Sequence, residues 1–382
     1  WYCLEKALLD YTKDPSLYLI DYKIRDNSSE VSQHFSSILF KVELQYKRVT
    51  EDEVYKISAF VKTLPDSPDQ SHNSHLKYVK ESAQFDTELK VYDKILPKVD
   101  IILYNLGLQS LAPKQIYQTN NTSVPILIME DMTSLGYKTT KYRSQLSLDA
   151  AKILIEKLAQ FHATSLVLDQ QMDETVSKLN GVFFDFHTNE SYCDDMDKCV
   201  EMMKTFNGFE HIVEKLEGTF QEMFKKVRDV YYNSESTCKV LNHGDMKFEN
   251  TLVKTNGNDI ENGVFVDFAY TNFQTPAIDL FEFLYKVPAL DVIIHKEQRD
   301  QLVDHYLETI RTILTKMAFE RVEETVEEFK NELERCNILQ IWFVMFLVVY
   351  QLQVCNQEND ADRDILDYEE YWLKTVLNEL LK

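Results

Sequence analysis

Strand-like and helix-like patterns occupy different parts of this chain. Apolar and polar residues alternate over Ile38–Lys47, and a second strand pattern covers Val54–Leu64. A helix pattern covers Leu76–Leu96, with apolar residues on one face, and Pro97 is expected to stop it. Two short apolar segments follow, at Ile101–Tyr104 and Ile126–Met129. The first 130 residues are therefore predicted to be strand-rich with one long helix.

Beyond Gly136 the pattern is mostly helical. Helices are predicted over residues 147–168, 209–232, 277–287, 296–318, 321–335, 338–354 and 364–381, with one strand-rich patch at 239–271. The chain has 382 residues, which is too long for one core of ordinary size. We therefore predict an α+β protein with two lobes, a small N-terminal lobe (1–130) and a large helical lobe (131–382).

Charge and hydropathy exclude two classes of partner. Acidic residues outnumber basic ones by 63 to 41, the net charge is −22, and basic residues form no run that would bind nucleic acid. The most apolar run, Ile338–Tyr350, has 13 residues, which is too short for a bilayer and is typical of a buried helix. We expect no nucleic-acid partner and no membrane span.

The cysteines give a prediction of compartment. Six are present, far apart and without a C-x-x-C pair, and none lies in a zinc-type cluster. We interpret them as reduced thiols. Because no basic-then-apolar leader is visible either, we expect a cytoplasmic protein.

The segment with the clearest chemistry contains the sequence H-G-D-M-K-F-E-N. Two short strands, Thr251–Lys254 and Val264–Val266, flank a turn rich in Asn and Gly. Asp245 and Asn250 precede the first strand, and Asp267 follows the second. Since a hairpin brings these ends together, three oxygen ligands should converge, as Mg²⁺ requires. The alternative is a capped hairpin with scattered acids.

This arrangement resembles the catalytic and metal loops of the protein-kinase-like fold. The resemblance implies that Asp245 orients the attacking hydroxyl and takes its proton, while Asn250 and Asp267 hold Mg²⁺ against the phosphates of ATP. The sequence H-G-D, with glycine in place of the arginine of H-R-D, resembles the small-molecule branch of this fold, which includes choline and aminoglycoside kinases.

Two upstream residues fit the same interpretation. Lys62 lies near the end of the second predicted strand, and Glu88 lies 26 residues later in the predicted helix. In a kinase of this type the lysine binds the α- and β-phosphates and the glutamate holds the lysine. The alternative is that both are solvated surface charges.

The segment I-L-I-M-E-D-M-T-S-L-G-Y resembles the linker between the two lobes of such kinases. The adenine would then bind to the backbone of Met129, Glu130 and Asp131. The alternative is an ordinary strand and turn.

Several phrases in order along nearly the whole chain resemble the insect ecdysteroid kinase-like family. They include F-V-K-T-L-P, F-D-T-E-L-K-V-Y-D-K-I-L-P, I-M-E-D-M-T-S-L-G-Y, H-G-D-M-K-F-E-N and V-D-F-A-Y-T-N-F-Q-T-P-A-I-D-L. The resemblance implies an O-kinase that uses ATP and Mg²⁺ to phosphorylate a hydroxyl of a small lipophilic acceptor, such as an ecdysteroid, another steroid or a xenobiotic.

The acceptor pocket is expected in the helical lobe, within residues 180–210 and 338–355. Its aromatic residues would suit an apolar acceptor, although each one taken alone fits a plain core: Phe183, Phe184, Phe186, Tyr192, Trp342 and Phe346.

Three further residues are expected to have structural roles. Asp279 resembles a family position that braces the catalytic loop from the following helix. His243 should orient that loop through hydrogen bonds, and His162 is expected to be a core histidine with satisfied partners.

The chain departs from the kinase pattern in the phosphate loop and near the catalytic aspartate. No glycine occurs before residue 107, and Val31–Ser37 stands where a glycine-containing turn is usual, which predicts weakened nucleotide affinity. The family often has a Trp and a second Asn between the catalytic Asp and the metal-binding Asn, where this chain has Met246-Lys247-Phe248-Glu249, and Ala269 stands where a Gln is common. Lys247 could contact the transferred phosphate.

Two other functions stay open at this point. One is a choline- or aminoglycoside-like kinase with a cationic acceptor. The other is a non-catalytic pseudokinase or small-ligand carrier, which the glycine-free loop favours. A protein kinase is disfavoured, because the chain lacks H-R-D and A-P-E segments.

Overall fold

The computed structural model describes residues 2–25, 37–64, 83–120, 124–140, 146–171, 174–179, 189–232, 236, 238–257, 259–355 and 363–382. The strands are β1 (Leu17–Arg25), β2 (Ile38–Arg48), β3 (Tyr55–Thr63), β4 (Gln115–Thr119), β5 (Ile126–Glu130), β6 (Tyr137–Thr139), β7 (Val240–Asn242), β8 (Thr251–Asn256), β9 (Asp259–Phe265) and β10 (Asn272–Gln274). The helices of the first part are α1 (Tyr2–Thr12), α2 (residues 83–90) and α3 (Leu96–Asn105).

The second part is mainly helical. Its helices are α4 (Leu148–Gln170), α5 (Glu174–Ser177), α6 (Asn189–Met203), α7 (Glu210–Leu216), α8 (Phe220–Tyr232), α9 (Ala277–Lys286), α10 (Leu290–Ile294), α11 (Lys296–Lys316), α12 (Val322–Arg335), α13 (Ile338–Cys355) and α14 (Arg363–Leu380). The predicted helix over 209–232 is two helices, because Gly218 adopts a left-handed φ of 70° between α7 and α8.

An antiparallel sheet of order β1-β2-β3-β5-β4 forms the N-terminal lobe. Side chains of β3 alternate between its two faces. Ala59 and Val61 join a core cluster that includes Ala7 of α1, so this helix covers one face of the sheet. Phe60 and Lys62 consequently face the other side, and the register pairs Lys62 with Leu127 of β5.

Pro97 does not end the helical segment, contrary to the sequence prediction. A π-helical turn over Val91–Ile95 joins α2 to α3, and Pro97 lies in the first turn of α3. The π-turn shifts the pattern of backbone hydrogen bonds directly before Pro97, so that a new first helical turn begins there. N–H groups in a first turn have no partner within the helix, and proline, which lacks an N–H, is tolerated at this position. Ile101–Tyr104 therefore lies in a helix, whereas Ile126–Met129 lies in β5.

The C-terminal lobe is organised around α4, which is buried along most of its length and packs on α11 and β9. The predicted hairpin is present as β8 and β9, which pair antiparallel, and β6 adds a third strand. Strands β7 and β10 form a separate two-stranded ribbon beside it. Residues 243–250, which the sequence predicts to be the catalytic loop and which are given that name below, lead from β7 into β8.

These features confirm the predicted α+β, bilobal protein-kinase-like fold. The division at 1–130 and 131–382 stays a prediction. The five cysteines whose side chains are described form no disulfide. Within the described part of the chain, every helix is too short or too polar to cross a bilayer.

Candidate active site

Lys62 lies between two carboxylates that come from different elements. Its Nζ is 2.6 Å from Glu88 Oε2 on α2 and 2.8 Å from Asp267 Oδ1, two residues beyond β9. Strand β3 presents the lysine, and the α2 helix presents the glutamate behind it. The structure thus brings together three residues that are up to 205 positions apart in the sequence.

The charges in this cluster are unequal, since one ammonium faces two carboxylates. Burial has the largest single effect on the pKa of Asp267 and would raise it, but the Lys62 ammonium, together with Lys247, outweighs burial and lowers the pKa to about 2. Burial alone would lower the pKa of Lys62, and the two carboxylates raise it instead. Burial raises the pKa of Glu88 against the opposing effect of Lys62. When all three groups are ionised, the excess negative charge favours binding of a further cation.

Asp245 lies in the loop between β7 and β8 and is buried. Its Oδ2 is 2.8 Å from Lys247 Nζ and accepts a hydrogen bond from Asn250 Nδ2 at 2.9 Å. Burial opposes protonation of Lys247, yet the nearby carboxylates of Asp245 and Glu249 raise its pKa. Lys247, which the sequence suggests as a phosphate contact, therefore holds the Asp245 carboxylate in this structure.

The catalytic loop is tied to the strand that carries Asp267. His243 Nε2 lies 2.9 Å from the carbonyl oxygen of Val266, and its Nδ1 accepts the N–H of Asp245 at 3.3 Å. The Val266 N–H donates to the Asn250 carbonyl at 3.0 Å. Asp267 itself has a left-handed φ of 68°, which is uncommon for a residue other than glycine and often marks functional sites. His243 has the loop-orienting hydrogen bonds that the sequence predicts.

Helix α9 contributes two buried carboxylates that accept backbone N–H groups of the catalytic loop. Asp279 accepts the N–H groups of His243 at 2.5 Å and Gly244 at 2.8 Å. Glu282, one turn later, accepts the Met246 N–H at 2.8 Å. The sequence prediction included Asp279 and missed Glu282, although the i, i+3 spacing of two acids within the apolar sequence A-I-D-L-F-E-F-L was the available signal.

His162 is a core residue with both ring nitrogens satisfied, as expected. Its Nδ1 lies 2.6 Å from the Tyr306 hydroxyl, and its Nε2 lies 3.2 Å from Asp279 Oδ2. The histidine is fully buried and therefore helps to fix Asp279.

Gly244 allows the loop to pass close to the chain beyond Asp267. Its φ is 86°, and a Cβ there would lie 2.2 Å from the backbone oxygen of Tyr270.

We expect Gly244→Ala to lower the free energy of unfolding by at least about 2 kcal/mol more than Gly107→Ala does, because only the first substitution creates a steric clash. Gly107→Ala is the matched control, since its φ is 73° and its Cβ would meet open space. Urea unfolding measures both, and equal losses would contradict the role assigned to the close approach.

The predicted linker residues lie at the end of β5 and just after it. The Asp131 carboxylate is buried. It accepts a hydrogen bond from the Ser58 hydroxyl at 2.6 Å and forms an ion pair with Lys41 Nζ, also at 2.6 Å. Glu130 accepts the Tyr11 hydroxyl at 3.0 Å. The side chains of both acids therefore link the sheet, α1 and the chain beyond β5, and binding of adenine by the backbone of Met129, Glu130 and Asp131 stays a prediction.

The donor set near Asp267 fits a magnesium ion. Asp267 uses Oδ1 for Lys62, and Asn250 uses Nδ2 for Asp245, so Asp267 Oδ2 and Asn250 Oδ1 are the atoms that could ligate a cation. Carboxylate and amide oxygens are the ligands that hard cations prefer. Within the described residues, no group of three or more His, Cys, Asp or Glu side chains forms a metal cluster, and this site would need phosphate oxygens to complete its shell.

Several sequence expectations lie outside the described residues. These are the glycine-free segment Val31–Ser37, except Ser37, together with Phe183, Phe184, Phe186 and the side chain of Tyr192. Trp342 and Phe346 lie on α13, where Trp342 is buried against Phe224 with ring centroids 5.9 Å apart.

Comparison with solved structures gives distant likenesses. An ethanolamine kinase from Plasmodium vivax is 16% identical, with 99% of this chain and 88% of that chain covered and a TM-score of 0.44. A mutant aminoglycoside 2′-phosphotransferase in complex with GDP is 11% identical, with coverage of 99% and 96% and a TM-score of 0.39. Comparison with curated protein sequences gives no significant match.

Comparison with protein-family models gives a match over most of the chain. The model described as the ecdysteroid kinase-like family matches residues 32–319, which include β3, α2, the catalytic loop and α9. The chain belongs to the ecdysteroid kinase-like family.

Proposed function

We propose that this protein is an ATP- and Mg²⁺-dependent small-molecule kinase that phosphorylates a hydroxyl of a small lipophilic acceptor such as an ecdysteroid. Family membership supports the class of small-molecule kinase. The observation that carries the finer proposal is the position of Lys62, whose Nζ contacts Glu88 at 2.6 Å and Asp267 at 2.8 Å. Asn250 joins Asp245 to the strand end beside Asp267.

In the proposed reaction, the acceptor hydroxyl oxygen forms a bond to the γ-phosphorus of ATP while the bond from that phosphorus to the bridging oxygen breaks. Asp245 orients the hydroxyl and takes its proton, and ADP leaves. Lys62 holds the α- and β-phosphates, with Glu88 keeping the lysine in place. The backbone of Met129–Asp131 holds the adenine.

Asn250 and Asp267 would hold the magnesium ion. The bound ion would supply positive charge that offsets the charge of the phosphates. The carboxylate excess around Lys62 supports this assignment, because a bound cation balances the charge of Asp267 while Glu88 keeps the lysine.

Calorimetry of ATP binding with and without Mg²⁺ tests the proposal. We expect the wild type to bind ATP in a Mg²⁺-dependent manner, and Asp267→Ala to weaken this binding by about 100-fold, because it removes a metal ligand. The matched control is Asp300→Ala, which removes an exposed aspartate paired with Lys296 at 2.6 Å on α11.

The calorimetry has two outcomes that would contradict the proposal. If the wild type does not bind ATP, the kinase proposal fails and a non-catalytic ligand-binding protein with this fold becomes the better explanation. If ATP binds equally well without Mg²⁺ and to Asp267→Ala, the assigned metal site is wrong. A screen of hydroxyl acceptors, with ecdysteroids first, follows a positive result.

A further inference from the structure

Lys286, in the last turn of α9, lies in an aromatic and acidic environment. Its Nζ is 2.5 Å from Glu282 Oε1. The same atom lies 5.3 Å from the ring centroid of Phe343 and 4.9 Å from that of Phe346, both on α13. The lysine side chain is only 9% exposed. A carboxylate with aromatic faces is the environment in which proteins bind organic cations such as choline.

This cation-binding environment lies beside the catalytic loop. Glu282 uses its second oxygen, Oε2, to accept the N–H of Met246 at 2.8 Å, and Met246 follows Asp245 directly. The charge of Lys286 also acts on Glu249, in the same loop, whose Oε2 has no hydrogen-bond partner. One carboxylate therefore contacts both the lysine and the backbone next to the catalytic aspartate.

We propose that Lys286 is a built-in cation that occupies a cation-binding site beside the catalytic loop, so that the acceptor is uncharged where it meets this site. The inference rests on the proposed function and deepens it. A second ammonium group would have to displace the lysine from Glu282 and from both rings, and the two positive charges would repel. The site thus disfavours amino alcohols and favours neutral, lipophilic hydroxyl compounds.

Removing the lysine should expose the site to an external cation. Glu282 would then lack its cationic partner in a buried position, and the two ring faces would be uncovered. Phe346, whose ring faces Lys286 Nζ, is partly exposed, so the space that the substitution opens would lie near the surface. Lys286→Ala is the opened variant, and Lys286→Met is the matched control, because methionine fills the same volume without charge.

The probe is choline, compared with 3,3-dimethylbutan-1-ol, which has the same shape without the charge. Binding is followed by calorimetry and thermal shift in the absence of nucleotide. We expect Lys286→Ala to bind choline at least about 10-fold more tightly than the wild type, a difference of about 1.4 kcal/mol. Choline should raise the melting temperature of this variant alone, and the neutral alcohol should not.

Three results would overturn the inference. Choline binding by the wild type as tight as by Lys286→Ala would show that the lysine does not exclude cations. Equal binding of both probes by the opened variant would show a plain cavity. Absence of any gain in the opened variant would leave Lys286 as a structural ion pair only.

Two provisions keep the test decisive. If Lys286→Ala does not fold, Lys286→Ser replaces it, because a hydroxyl with a water molecule can satisfy Glu282. Since these measurements need no ATP and no turnover, they are independent of the calorimetry on Asp267. Choline binding by the opened variant with no ATP binding by the wild type would keep the cation-binding site and remove its role in phosphotransfer.

Discussion

Asp245→Asn should lower the phosphotransfer rate by about 10³-fold while nucleotide binding changes little. Asparagine is nearly isosteric with aspartate but cannot take the proton of the acceptor hydroxyl. Its amide also cannot carry the charge that Lys247 contacts at 2.8 Å. The expected signature is a loss in kcat, with the Mg²⁺-dependent affinity for ATP retained, because Lys62, Glu88 and Asp267 are untouched.

Coupled-assay turnover and calorimetry on the same samples measure the two quantities. Asp300→Asn, on the exposed face of α11, is the matched control and should retain wild-type turnover. Loss of a general base typically lowers kcat by more than about 10-fold. If Asp245→Asn keeps more than about a tenth of the wild-type kcat, Asp245 is therefore not the base. Equal losses in kcat and ATP affinity would instead indicate a disturbed loop.

Asp279→Ala should destabilise the fold by about 3–5 kcal/mol, the range for removing one partner of a buried charged network. The change leaves the N–H groups of His243 and Gly244 unpaired, and His162 loses the partner of its Nε2. All of these groups are almost fully buried, so water cannot replace the lost carboxylate without rearrangement. Chemical unfolding by urea, followed by fluorescence and circular dichroism, measures the loss.

The control for this change is Asp300→Ala, whose unfolding midpoint should stay close to that of the wild type because its ion pair is exposed. A loss at Asp279 as small as that at Asp300 would show that the loop does not depend on the α9 carboxylates for its stability.

Part of the fold could be predicted because periodic patterns and short motifs encode it locally. The alternation of β2 and the turn between β8 and β9 predict strands where the structure has them. The kinase resemblance then selects Lys62 and Glu88, which do meet. Their roles in binding ATP stay predictions.

What could not be predicted depends on tertiary geometry. The π-turn before Pro97 changes a hydrogen-bond register without any residue pattern that marks it. The spacing of Glu282 from Asp279 marks it as unusual, but its contact with the Met246 N–H follows only once α9 is placed against the catalytic loop. The environment of Lys286 requires α9 and α13 to pack together, and no spacing within either helix shows that contact.

The two oxygens of Glu282 have a consequence for how this protein could evolve. One oxygen accepts the Met246 N–H beside Asp245, and the other holds Lys286, so under the proposed roles a single side chain would serve both turnover and acceptor choice. Under the proposed role of Lys286, loss of this lysine alone would admit a cationic acceptor, and the same change would leave the carboxylate that holds the Met246 N–H without its cation.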